Sequence, residues 1–412
     1  MAAPTTVLTF LSTGNPTGLK FTVERAGTRA IFDFGLEHAP GRAPFSLGLE
    51  PRPGRELADL IAVGSAPRLE GVYEAWDGRT SLFLSHMHLD HTSLVPFVHP
   101  EVPLFYPEAM EGLRSAADRT GYLPWRQGPP GNPAGNRERV RVGEIEVEFV
   151  AVDHDLPGAT GFLIRAPDLT IAYTGDHRWH GLHAEVTAAY AAAARGFDVL
   201  IQEGVLLGFD RPRAEGEAAP LRRTEAEVHA AFDALVEGVA GLLVVNLYPM
   251  NRERVNAFAR SCAARGRRFL MEPVSAALAG WRDVLGDLDA IRFNPERYCV
   301  QLPYAQLPLL IDLEPPPGSV FVQSDGPPIG EYDPAWGVLN AWTQALGLVL
   351  TRISSSGHSR PADIVRMVES VGPGVVLPVH TQTPEALAVA GIPRLLPAAN
   401  RPYDAGELKA IR

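Results

Sequence analysis

Residues 81–91 read Ser81-Leu-Phe-Leu-Ser85-His86-Met87-His88-Leu89-Asp90-His91, an apolar strand that runs straight into three histidines and an aspartate. In an extended or turning segment His86 and His88 project to one side, while Asp90 and His91 swing toward a second centre. Imidazole and carboxylate are the donors that Zn(II) or Mn(II) take up. The plainer reading, a solvated His-rich turn, leaves unexplained why the cluster follows a buried strand without a break. Two metal ions need more donors than one loop supplies. The same strand-then-ligand pattern provides them, since Ile145 to Val152 ends at His154 and Leu169 to Thr174 ends at Asp176. Layered α/β folds collect chemistry at the carboxyl ends of strands, where a rigid sheet holds the loops.

Outward from that core the chain divides by texture. Val7 to Leu11, Gly18 to Val23 and Thr28 to Gly35 form a strand meander broken by Gly, Asn and Pro. Leu36 to Gly78 is a Pro, Gly and Arg-rich excursion with one helical stretch near Arg55 to Val63. Asp198 to Glu203 is a further strand, followed by an arginine-bearing loop from Gly208 to Arg223. Amphipathic helices over Glu225 to Glu237 and Arg252 to Arg265 flank the strand Gly241 to Asn246, which reads as a smaller α/β unit. A helix over Pro361 to Val371 and a strand over Val375 to His380 close the chain. The expected organisation is one catalytic domain in two pieces, residues 1–205 and 351–412, with a cap inserted at 206–350.

The motif H-x-H-x-D-H, preceded by Asp33-Phe-Gly and followed by His154 and Thr174-Gly-Asp176, resembles the metallo-β-lactamase superfamily. Glu203 in Leu-Ile-Gln-Glu-Gly, Ser356-Gly-His358-Ser and Pro378-Val-His380-Thr resemble motifs A, B and C of its β-CASP nuclease branch, to which ribonuclease J belongs. Arg222-Arg-Thr-Glu resembles that branch's lead into its cap. The resemblance implies an αββα metallo-β-lactamase sandwich with an inserted α/β β-CASP cap. It implies a first metal on His86, His88 and His154, a second on Asp90, His91 and His380, and Asp176 bridging both. Asp33 falls at the supporting acid position, behind the ligands. Asp90, Glu203 and His358 carry the chemistry in this reading, with His358 beside the scissile phosphate and Glu203 orienting a neighbouring histidine. Attack of a metal-activated hydroxide on a phosphodiester would leave a 5′-phosphate and a 3′-OH. Ribonuclease J has a further C-terminal domain and Gly-Glu after its last histidine, whereas this chain reads Thr381-Gln-Thr-Pro-Glu, so the resemblance is to a short form.

The remaining composition bounds the partners. The chain has 412 residues, 46% of them hydrophobic, two cysteines and a formal charge of -11. Such a chain builds a real core, and two cysteines build no disulfide framework. Neither a basic leader nor an apolar run of about 20 residues is present, so no membrane is expected and a reducing cytoplasm is the natural compartment. The acidic total argues against nucleic acid, but Asn251 to Arg268 carries six arginines against Glu253 alone. Arg252 and Arg254 are therefore candidates for binding RNA or single-stranded DNA, the alternative being an ordinary solvated basic helix face. Ser356, Gly357 and Ser359, before a helix with Pro361 in its first turn, suggest a phosphate pocket, and helix capping explains them equally. A small-molecule metallo-hydrolase and a homodimer stay open.

Overall fold

The computed structural model describes residues 3–15, 17–123, 128–208 and 223–411. Arg222 and all but the ends of the loop from Gly208 to Arg223 lie outside the described residues. Contacts divide the chain into one unit of residues 1–218 and 357–412 and another of residues 219–356.

In the first unit two sheets face each other. One has seven strands, with Val7–Ser12, Lys20–Arg25, Thr28–Phe32 and Thr80–Phe83 at its centre. The other has six, in the order Val375–Val379, Val199–Glu203, Leu169–Tyr173, Thr160–Ala166, Ile145–Ala151 and Arg139–Val142. Their inward residues alternate along each strand, as a half-buried sheet requires. Leu8 and Phe10, Phe21 and Val23, and Phe32 meet Val147, Phe149, Phe162 and Ile164 in one core. Phe21 stacks on Phe32 at 4.9 Å and Phe32 on Phe83 at 5.3 Å, while Phe162 meets Phe32 edge-on at 5.4 Å. Outside the six-stranded sheet, helices Ala184–Ala193 and Pro361–Val371 bury Tyr190, Ala191, Ile364, Met367 and Val368 against its other face. Sheets inside and helices outside make the αββα sandwich.

Strand direction gathers the chemistry. Thr28–Phe32 and Thr80–Phe83 are parallel. Leu169–Tyr173, Val199–Glu203 and Val375–Val379 are parallel as well, and Ile145–Ala151 runs the same way through two antiparallel steps. Asp33, His86, His154, Asp176, Glu203 and His380 thus all lie at or just beyond a carboxyl end. One strand escapes a sequence reading. Pro402–Asp404 pairs antiparallel with Val7–Thr9 at the sheet edge, but three residues are too few to establish a period, and its proline sits where an edge strand tolerates one.

The second unit is a parallel five-stranded sheet in the order Arg268–Met271, Tyr298–Gln301, Leu243–Leu247, Val320–Ser324, Val349–Arg352. Its central strand Leu243–Leu247 is buried on both faces, which explains why Leu243-Val-Val reads as a continuous apolar run. Helix Glu225–Gly238 starts at a capping box between Thr224 and Glu227 and packs Phe232 on Phe258 at 3.6 Å.

The arginines of this unit correct the sequence reading. Arg254 is 1% exposed, and its guanidinium grips both oxygens of Glu225 at 2.8 Å and also pairs with Asp325. A buried, doubly paired guanidinium is not available to nucleic acid. Arg265 pairs with Asp233, Arg268 with Asp283, and Arg267 donates to the carbonyls of Gly241 and Tyr298. Arg252 is half-buried and donates to the Leu278 carbonyl at 3.3 Å. Three of the six arginines, Arg254, Arg265 and Arg268, are thus paired with acids outside the run. Arg254→Met should leave Glu225 and Asp325 buried without their guanidinium, at a cost of about 3–5 kcal/mol. Urea denaturation checks this, and unchanged stability with weakened RNA binding would restore the substrate role.

Candidate metal centre

Asp33 organises the centre from behind. Its φ of 55° turns the chain just past its strand, and each oxygen finds donors. Ser85 N–H donates to Oδ1 at 2.7 Å, while the Ser85 hydroxyl (2.8 Å), the Tyr173 hydroxyl (2.6 Å) and His91 Nδ1–H (2.9 Å) converge on Oδ2. Because a carboxylate only accepts, His91 Nδ1 must carry the proton, which aims Nε2 the other way. The backbone then doubles back on the histidine loop, with Phe34 N–H donating to the His91 carbonyl at 2.7 Å. Only glycine fits at position 35, where a Cβ would stand 2.0 Å from the Asp90 carbonyl carbon. Lys20, buried beside this turn, donates to the carbonyls of Gly18 and Gly35, each at 2.9 Å.

Two groups of donor atoms result. His86, His88, His154 and Asp176 place theirs within 4.8 Å of one another, as do Asp90, His91 and His380. His86 Nε2 and His88 Nδ1 are 3.0 Å apart, and His88 Nδ1 and His154 Nε2 are 3.2 Å apart. On the other side His91 Nε2 faces His380 Nε2 at 3.2 Å, with Asp90 Oδ2 3.1 Å from the latter. Asp176 Oδ2 lies 3.2 Å from His91 Nε2 and 3.5 Å from His86 Nε2, between the groups. His380 reaches the centre from a left-handed position with φ 54°, its N–H bonded to the Thr13 carbonyl at 2.7 Å.

The donor set fits divalent cations. His154 Nδ1 is 2.5 Å from the Gly357 carbonyl, an acceptor, so its Nε2 presents a bare lone pair to the centre. Both oxygens of Asp176 are buried and meet no hydrogen-bond donor among the described residues. Lone pairs facing lone pairs across 3 Å, beside an unpartnered carboxylate, call for a positive charge between them. Burial keeps two of the rings from taking up a proton. Burial, with the neighbouring rings of His91, His88 and His154, holds His86 well below its ordinary pKa, and burial takes His154 down to about 3 against the pull of Asp155. Burial opposes protonation of His91 too, yet Asp176, Asp90 and Asp33 together raise its pKa well above the usual value.

His358 stands at the margin of this cluster, 19% exposed. Its Nδ1 is 3.5 Å from Glu203 Oε2 and 3.8 Å from Asp176 Oδ2. Burial would lower its pKa, but Asp176, Glu203 and Asp155 outweigh that and raise it to about 9. Asp176, His358 and His380 also place donor atoms within 4.8 Å of one another. Glu203 is fully buried, with Oε2 accepting from Val205 N–H at 3.0 Å and Oε1 from Ser359 N–H at 3.2 Å. So held, its Oε2 faces His358 Nδ1.

The serine-glycine segment is also reassigned. Ser359 is fully buried, and besides holding Glu203 its hydroxyl lies 2.9 Å from His177 Nδ1. Gly357 turns its carbonyl to His154, and a Cβ there would stand 2.7 Å from the His154 ring. Both residues build the site instead of lining a phosphate pocket. Ser356 is half-buried. His177 belongs to this support, 3.0 Å from Gln202 Nε2. Asp155 was passed over altogether. Its Oδ1 lies 3.2 Å from His88 Nε2, and the one signal was its place directly after a ligand.

Known proteins match the same layout. Residues 62–249 fit the Beta-lactamase superfamily domain model. Ribonuclease J of Mycolicibacterium smegmatis is 23% identical over 344 residues, covering 76% of this chain and 60% of the relative. Ribonuclease J of Thermus thermophilus is 22% identical over 355 residues with the same coverage. The chain thus spans 60% of the length of these curated relatives. A crystal structure of a protein of unknown function from Enterococcus faecalis superposes with a TM-score of 0.82 at 27% identity, covering 97% of this chain and 100% of that one. No helix among the described residues is long and apolar enough to cross a membrane. In ligand order and sandwich the chain is similar to the metallo-β-lactamase superfamily, and over the matched part to the ribonuclease J relatives.

Proposed function

We propose that this protein is a metal-dependent nuclease that hydrolyses phosphodiester bonds of RNA and leaves 5′-phosphate and 3′-OH ends. The observation that carries the reading is Asp176, a buried carboxylate with no hydrogen-bond donor among the described residues, placed between two histidine groups and within 3.8 Å of His358. In this reading His86, His88, His154 and Asp176 hold one Zn(II) or Mn(II) ion, and Asp90, His91, His380 and Asp176 hold the other. Two such ions would lower the pKa of water and neutralise charge building on the phosphate. The chain's own residues do the rest. Asp33 and the Gly357 carbonyl fix the tautomers of His91 and His154. Glu203 keeps a proton on His358, which donates it toward the phosphate or the departing oxygen. The relatives named ribonuclease J favour RNA as substrate.

Digestion of RNA and single-stranded DNA, labelled at the 5′ or 3′ end, with Zn(II) or Mn(II) tests the proposal. RNA should be cut, chelation should stop it, and Asp90→Ala should be inactive. Faster cutting of DNA would replace the substrate, whereas intact polymers under both metals, or a fully active Asp90→Ala protein, would sink the nuclease reading.

A further inference from the structure

Gln202, His177 and Ser359 are fully buried polar side chains that lead, hydrogen bond by hydrogen bond, to Glu203. The Gln202 amide fixes the direction. Its Nε2 lies 2.8 Å from the Glu203 carbonyl, which only accepts, so the nitrogen and not the oxygen stands there. The same Nε2 is 3.0 Å from His177 Nε2. An amide nitrogen donates and does not accept, so His177 Nε2 offers a lone pair and the ring carries its proton on Nδ1. Nδ1–H then donates to the Ser359 hydroxyl at 2.9 Å, and Ser359 N–H donates to Glu203 Oε1 at 3.2 Å. The other oxygen of that carboxylate, Oε2, faces His358 Nδ1 at 3.5 Å. With both ring nitrogens committed and no exposed surface, His177 touches neither a cation nor a substrate, although it directly follows Asp176.

We propose that His177 is a positioning residue for the hydrolysis: by holding Ser359 it sets where the Glu203 carboxylate, and through it the His358 ring, stands against the phosphate. The inference rests on the nuclease reading, in which His358 donates a proton. Its physical basis is the narrow tolerance of a reacting geometry, where a displacement of about 1 Å costs on the order of 100-fold in rate. A buried histidine that only filled the core would matter for stability alone, and its loss would be independent of the Ser359 hydroxyl.

The test is steady-state cleavage of labelled RNA by the whole chain, with ion content and melting temperature measured on each variant. His177→Leu should lower kcat by about 10- to 100-fold, the range for partners that support a site from behind, with KM and ion content near wild type. His177→Asn, whose amide N–H stands close to where Nδ1–H did, should return kcat most of the way. Ser359→Ala keeps the N–H but drops the hydroxyl, so it should match His177→Leu, and the double variant should be no slower than the slower single one. Nitrogen-15 NMR of the histidine-labelled, metal-free chain should show a ring protonated on Nδ1 whose signal is missing in His177→Leu. Unchanged kcat, a loss confined to KM, losses that multiply in the double variant, or His177 protonated on Nε2 would overturn the proposal and leave the nuclease reading intact. If the leucine variant does not fold, Ser359→Ala decides, and full kcat there overturns the proposal. A wild-type chain that cleaves no RNA overturns the nuclease reading and this one together.

Discussion

Replacing Asp176 by Asn should abolish more function than any other single substitution. The amide keeps the shape but loses the charge that both histidine groups share, since Asp176 Oδ2 is 3.2 Å from His91 Nε2 and 3.5 Å from His86 Nε2. Losing several kcal/mol of charge stabilisation, at 1.36 kcal/mol per tenfold, lowers the rate roughly a thousandfold or more. Metal content by mass spectrometry should fall below two ions per chain. The melting temperature of the metal-free variant, measured alongside, separates loss of ions from loss of fold. A variant with two ions and near wild-type rate would contradict the bridging role.

His358→Ala should lower kcat by about 10²- to 10⁴-fold, the range for a positioned proton donor, while both ions remain bound. Metal content is the deciding readout, because His358 also stands within ligand distance of Asp176 and His380. A fall from two ions to one would make it a ligand. Glu203→Gln separates positioning from ligation further. Glu203 helps raise the His358 pKa to about 9, so neutralising it lets His358 lose its proton at lower pH. The alkaline limb of the rate profile should therefore move toward neutrality, and an unmoved limb would remove Glu203 from that role.

The candidate ligands were legible because their signal is local. His86 to His91 sit in six residues, and His154, Asp176 and His380 each follow an apolar strand whose end the sheet fixes. Asp33 and Glu203 were expected behind the ligands by resemblance, but the partners of the support were not legible, because they meet only in the fold. Asp33 binds Tyr173 across 140 residues, and His154 meets the Gly357 carbonyl across 203. Arg254 makes the converse point. In sequence it is one letter of a basic run, but Glu225, 29 residues away, and Asp325, 71 away, turn it into a core ion pair. A charge count along the chain does not reveal such pairing. Ser359 likewise reads as a helix-flanking hydroxyl until Glu203 and His177 are seen to hold it.

The central claim, hydrolysis by water at a two-cation site, is tested most directly by cutting RNA in ¹⁸O-enriched water and weighing the product ends. The account predicts a 5′-phosphate carrying one ¹⁸O and an unlabelled 3′-OH, in wild type and not in Asp176→Asn. A 2′,3′-cyclic phosphate, a 3′-phosphate, or label in the 3′-OH would contradict it.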